Sequence, residues 1–329
     1  MKQHGGDTME HESERGIHVP VLLEETLEAL RGERAVEELE GWILDGTLGA
    51  GGHARAILEA FPNVRLFGVD QDPEILELAA QNLAPFGDRA RIARGRISRL
   101  CALCGEARIE EAVGVLFDLG ASSLQLDRPE RGFSFQFDGP LDMRMDPTRR
   151  RTAAAIVNDW DEADLADLFY YEGGERRSRR VARAIVEARR RTPFQRTAAL
   201  ADVVAEALGG KRGRIHPATK VFQALRRAVN EEGDQLVRGL RIAEHVLVDG
   251  GRLVILTFHS GEDGVVKRTL RERAREGHWQ LVGKKPLGPG ATERRSNPRA
   301  RSARLRAAVR TRTEAPKRHA ACDGGEDFP

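Results

Sequence analysis

Apolar residues follow two rhythms along this chain. Five short, nearly continuous runs have the length of strands buried on both faces: WILD (42–45), RLFGVD (65–70), ARIAR (90–94), VGVLFDLG (113–120) and GRLVILTFH (251–259). Helical stretches separate the first four, ARAILEAF after the first and PEILELAAQNL after the second. In the latter, Ile75, Leu78, Ala79 and Asn82 keep roughly helical spacing, with Asp72-Pro73 as cap and first turn. Strands alternating with helices predict βαβ units and a parallel sheet, a doubly wound α/β domain.

The fourth and fifth runs lie too far apart for one crossover. Helical patterns fill the gap, among them DEADLADLFYYEG, SRRVARAIVEARR and ALADVVAEAL. An α-helical insert over residues 131–216 accounts for them. The α/β domain is then discontinuous, over 17–130 and 217–310, with helices from PATKVFQALRRAVNEE onward returning to the sheet. Val221, Phe222, Leu225 and Val229 share one apolar face there. HWQLV (278–282) and ARLRAAVR (303–310) are expected to add closing antiparallel strands. Residues 1–16 and 311–329 have the composition of disordered ends.

The chain has 329 residues, 40% hydrophobic and 32% charged, with a net charge of +2. No apolar run reaches the roughly 18–20 residues of a membrane span, and the polar N-terminus lacks a signal-peptide core, so a cytoplasmic protein is expected. Cys101 and Cys104 have no second pair at metal-ligand spacing, and Cys322 sits in a polar tail, so neither a disulfide framework nor a metal site is expected. Arginine far outnumbers lysine and is clustered at 149–151, 175–180, 188–196, 211–214 and from Arg294 to Arg310. One such cluster alone reads as a solvated helix face; together they fit an anionic partner such as RNA.

Candidate chemistry gathers at the carboxyl ends of the strands, where open α/β sheets bind ligands. Gly49-Ala50-Gly51-Gly52-His53-Ala54 satisfies the dinucleotide pattern G-x-G-x-x-G/A, and Asp70 stands where that pattern places a ribose-binding acid. No Lys-Ser/Thr follows, which excludes a Walker A loop. Asp45, Asp70 and Asp118 end three strands, and an edge with three carboxylates disfavours anionic phosphate. S-Adenosylmethionine, with its ammonium and sulfonium and no phosphate, suits such an edge better than NAD. Asp45 acting only as a turn cap stays open. Phe133, Phe135 and Phe137 could stack a flipped base or pack beneath the insert. Thr257, His259, Ser260, Glu262 and Asp263 line the end of the fifth strand, without a nucleophile elbow.

Several blocks resemble the bacterial MraW family of 16S rRNA (cytosine-N4)-methyltransferases: HVPVLLEE (18–25), DGTLGAGGHA (45–54), GVDQDP (68–73), FDLGASSLQLDRPERGFSFQFDGPLDMRMDPT (117–148), HPATKVFQALRRAVNEE (216–232) and GGRLVILTFHSGED (250–263). The resemblance implies a class I S-adenosylmethionine-dependent methyltransferase domain, Rossmann-like and interrupted by a helical rRNA-recognition domain. It implies N4-methylation of a cytosine in the decoding centre, near the P site, of the small ribosomal subunit. Membrane and DNA partners are not expected. Family cofactor contacts fall on Gly51, Gly52, His53, Asp70, Asp118 and Gln125. Ile97 stands where the family usually has an aromatic against the adenine. Asp118, or the carbonyls of its Leu119-Gly120 turn, is the candidate nearest the reacting amine, and Arg176, Arg177, Arg179 and Arg180 are candidate RNA contacts. A nicotinamide-dependent reductase using the same loop and a non-catalytic RNA-binding assembly factor are the alternative readings.

Overall fold

Alternation along each apolar run decides which side of the sheet its residues enter. The computed structural model describes residues 20–210 and 216–311, so residues 17–19, the basic cluster at 211–214 and the predicted ends, save Thr311, lie outside the described residues. Its strands are β1 (Gly41–Asp45), β2 (Val64–Asp70), β3 (Ala90–Arg94), β4 (Ala112–Asp118), β5 (Leu247–Thr257), β6 (Trp279–Leu287) and β7 (Arg304–Arg310). They form one sheet in the order β3-β2-β1-β4-β5-β7-β6. The first five are parallel, and β7 runs antiparallel to both β5 and β6. Strand order reverses between β1 and β4, which opens a crevice at their carboxyl ends.

Ile43, Leu66, Leu116, Val254 and Leu256 enter one face, under α1 (Leu23–Arg31), α2 (Gly52–Ala60) and α3 (Pro73–Leu83). Their neighbours Leu44, Phe67, Val115, Leu253 and Ile255 enter the other, under α4 (Leu100–Glu106). Asp72 caps α3 as its sequence predicts, its carboxylate accepting from Glu74 N–H at 3.2 Å, with Pro73 in the first turn. A short α5 (Ser123–Asp127) follows β4, closed by a reciprocal cap between Ser122 and Gln125.

The insert contains α6 (Ala153–Asp159), α7 (Glu162–Tyr171), α8 (Ser178–Arg189) and α9 (Thr197–Ala207) around its own core. α10 (Thr219–Asn230) joins that core as well: Val221, Phe222, Leu225 and Val229 pack with Phe169, Ile185 and Leu200. The apolar face expected to return to the sheet at residue 217 therefore completes the insert instead. Glu231, in the left-handed region at φ 54°, turns the chain into α11 (Glu232–Val246), and that helix makes the return. α12 (Ser260–Arg275) joins α4 and α11 on their face, and α13 (Ala291–Ser296) precedes β7.

Two polar clusters lie where the insert meets the sheet domain, crossed by the Glu231–Arg96 and Arg131–Asp72 ion pairs. Asn230 is buried; its Oδ1 accepts from Met145 N–H and its Nδ2 donates to the Met143 and Arg226 carbonyls, all at 2.8 Å. Beside it Glu231 pairs with Arg96 of the sheet domain at 2.9 Å and with Arg149 at 2.7 Å. Arg131 forms the second cluster. Its guanidinium donates to Asp72 at 2.8 Å, to Glu74 at 3.1 Å and to the Arg144 carbonyl at 3.0 Å.

Candidate active site

The turn after β1 takes glycines because its backbone demands them. Gly49 has φ 54° and Gly51 φ 85°, both in the left-handed region that side chains disfavour. Gly51 is also the N-cap of α2 and supplies no side chain, so the first-turn N–H groups of α2 stay open at the sheet edge. Gly52 and His53 are the first two residues of that helix.

Three acids converge here. Asp45 is buried, and its Oδ1 accepts from Thr47 N–H at 3.0 Å and from the Thr47 hydroxyl at 3.3 Å. The same hydroxyl accepts from Asp118 N–H at 2.6 Å, which ties the ends of β1 and β4 together. Burial pushes the Asp45 carboxyl up to about 7, against the lowering influence of the Thr47 N–H and the His53 charge. Asp70 Oδ2 accepts from Gly49 N–H at 2.9 Å and its Oδ1 from Asp72 N–H at 3.0 Å. Desolvation raises it to about 6. Each of its oxygens retains a second lone pair, enough for a pair of vicinal hydroxyls.

Asp118 ends β4, part-exposed, with Oδ2 3.3 Å from His53 Nδ1. Its Oδ1 is buried without a hydrogen-bond partner. A buried carboxylate oxygen left unpaired is costly, and it marks a place where a donor from outside the chain belongs. His53 is buried, with Nε2 3.1 Å from the Val21 carbonyl. Burial alone would lower its proton affinity; the Asp118 hydrogen bond and charge, the Asp45 charge and the Val21 carbonyl outweigh it and raise the pKa.

The other predicted residues divide. Ile97 follows β3 and rests near Gly46, among the residues packed against Phe117. A Cβ on Gly239 of α11 would come within 2.4 Å of Ile97 Cγ2, so the aliphatic wedge and the helix are fitted to each other. Gln125 is buried and faces Asp72, donating from Nε2 at 2.8 Å while its Oε1 accepts from Ser122 N–H at 3.1 Å. It braces the β2 and β4 loops together. Phe133 is buried, Phe135 packs edge-on against Phe222 and only Phe137 is exposed, so the aromatic trio mainly packs. His259 caps α12: its Nδ1 accepts from Gly261 and Glu262 N–H, and its Nε2 lies 2.7 Å from Glu262. Asp263 pairs with Arg304 and Arg306.

Arg176, Arg177, Arg179 and Arg180 are all exposed at the start of α8, within the insert. Arg177 also donates to the Leu208 carbonyl at 3.0 Å. Thr47, Asp72 and Arg131 organise the site, yet of these only Asp72 drew a reading from the sequence, as a helix cap. Their partners lie on distant segments, as for Arg131 and Asp72, 59 positions apart. Cys104 is buried and its thiol is pushed up to about 12, which leaves it unreactive. Among the described residues no cluster of three or more His, Cys, Asp or Glu is placed to hold a metal ion.

The arrangement fits S-adenosylmethionine. An ammonium finds buried carboxylates, a carboxylate finds the open N–H groups of α2, and ribose hydroxyls find Asp70. A pyrophosphate would instead meet Asp45 and Asp118.

A sequence model of the MraW methylase family matches residues 15–311. The chain is 47% identical over 317 residues to "Ribosomal RNA small subunit methyltransferase H" of Methylobacterium sp. (strain 4-46), covering 91% of this chain and 93% of that one. It is 48% identical over 324 residues to the protein of the same name from Cereibacter sphaeroides (strain KD131 / KCTC 12085), covering 94% of each.

Proposed function

This chain belongs to the MraW methylase family and is an S-adenosylmethionine-dependent methyltransferase, and we propose that its acceptor is the N4 amine of a cytosine in the decoding centre of 16S rRNA. Relatives that cover nearly the whole chain are named for methylating small-subunit ribosomal RNA. The reductase reading of the glycine loop lapses with family membership, and Asp45 at the foot of the turn supplies the physical reason.

The observation that carries the acceptor is the buried, unpartnered Oδ1 of Asp118. The amine of cytosine is a poor nucleophile because its lone pair is delocalised into the ring. It gains nucleophilicity as the nitrogen becomes tetrahedral, and its N–H groups then need acceptors. Asp118 Oδ1 is such an acceptor, preorganised by the Asp118 backbone bond to Thr47 and by the Oδ2 contact with His53. Gly51, Gly52, His53, Asp70, Ile97 and Asp118 would hold the cofactor, which would supply an electrophilic methyl group on a cationic sulfur. Gln125 positions these loops through Asp72. Orientation and electrostatics provide most of the rate, and Asp118 or solvent takes the proton afterwards. Arg176, Arg177, Arg179 and Arg180 would meet RNA phosphates on the insert.

Nucleoside mass spectrometry of small-subunit rRNA tests this reading. Deleting the gene is expected to abolish N4-methylcytidine, and the wild-type chain but not Asp118→Asn to restore it. Unchanged N4-methylcytidine in the deletion strain would overturn the acceptor.

A further inference from the structure

Both ring nitrogens of His53 face groups that can only accept. Nε2 lies 3.1 Å from the Val21 carbonyl oxygen, and Nδ1 lies 3.3 Å from Asp118 Oδ2. A neutral imidazole carries one N–H and would set a lone pair against one of these oxygens. Only the imidazolium satisfies both at once. The ring is buried, so solvent does not relieve such a clash. Its environment supplies the compensating charge: Asp118 at the end of β4 and Asp45 at the end of β1, with the Val21 carbonyl opposite.

We infer that His53 is a fixed imidazolium whose role is to hold Asp118, engaging Oδ2 so that the unpaired Oδ1 is aimed at the acceptor amine. His53 is thus a positioning residue, acting through Asp118. The contact with His53 engages Oδ2 and leaves Oδ1 as the oxygen without a partner. The raised proton affinity of His53 agrees with this geometry. The catalytic part of the inference rests on the acceptor proposed above; the charge state does not.

The test begins with cofactor-free wild-type protein carrying 15N-labelled histidine, with the His53 signals assigned by their loss in His53→Asn. At pH 7, where an ordinary histidine is mostly neutral, both ring nitrogens of His53 are expected to be protonated. Asp118→Asn is expected to shift its titration to lower pH. One unprotonated ring nitrogen at pH 7 in the wild type would overturn the assignment.

Kinetics then separate positioning from folding. His53→Asn places an amide donor near the Nδ1 position and keeps a bond to Asp118, whereas His53→Gln reaches toward Val21 and abandons Asp118. The loss of a charge-assisted bond predicts that kcat falls about tenfold further in His53→Gln than in His53→Asn, with the KM for RNA unchanged. Equal losses in the two variants would overturn the positioning role. Protonated His53 in a wild-type protein that transfers no methyl group to RNA would refute the acceptor and leave the imidazolium standing.

Discussion

Replacing Asp45 with asparagine should make this protein more stable at neutral pH and worse at its task. Asparagine has the same shape and keeps an oxygen for the Thr47 N–H and hydroxyl, but it does not ionise. The folded Asp45 titrates at about 7 against an ordinary 3.8. The folded chain therefore binds this proton more tightly than the unfolded chain does. Wild-type stability falls as pH rises between those two values, and the penalty is complete above about pH 7. Three units correspond to about 4 kcal/mol, and the attraction of the His53 charge is already contained in the folded value. Urea denaturation of both cofactor-free proteins from pH 4.5 to 8.5 reads this directly. The stability difference should grow with pH in favour of Asp45→Asn and level off above pH 7, while calorimetry shows weaker S-adenosylmethionine binding. Parallel stability curves would refute the reasoning, because they would mean that Asp45 is not held in a site that resists its charge.

Three further outcomes follow from the same geometry. Asn230→Ala strips partners from the buried Met145 N–H and Met143 carbonyl and should cost about 2–4 kcal/mol by chemical denaturation; a loss under about 0.5 kcal/mol would show that the cluster is not tight. Gly132→Ala must place a Cβ 2.0 Å from the Pro140 carbonyl oxygen at φ 71°, so the backbone has to move and the melting temperature should drop by several degrees or more. Reversing Arg176 and Arg179 to glutamate should raise the KM for RNA about tenfold at moderate salt, with S-adenosylmethionine affinity unchanged; an equal loss of cofactor affinity would point to misfolding of the insert instead.

Much of the sheet was legible because its signals are local. The five apolar runs become β1 to β5, and the closing runs become β6 and β7 in the antiparallel sense expected. α3 starts where Asp72-Pro73 predicts it to start. The glycine loop was legible too, since positive φ at Gly49 and Gly51 is a demand on single residues. The end of the insert was not. The apolar face of α10 announces burial without saying against what, and it packs onto α6 and α7 rather than under the sheet.

The sequence by itself determined the doubly wound strand pattern, the acids at the strand ends and the ligand charge they favour, because each follows from periodicity or residue chemistry over a few positions. Tertiary structure alone decided what those acids do. It buried Asp45 beside His53 and raised its carboxyl to about 7, turned Gln125 toward Asp72 and left one oxygen of Asp118 without a partner. Hydrogen-bond partners and desolvation depend on which distant segments meet, and no local pattern in the chain encodes that meeting.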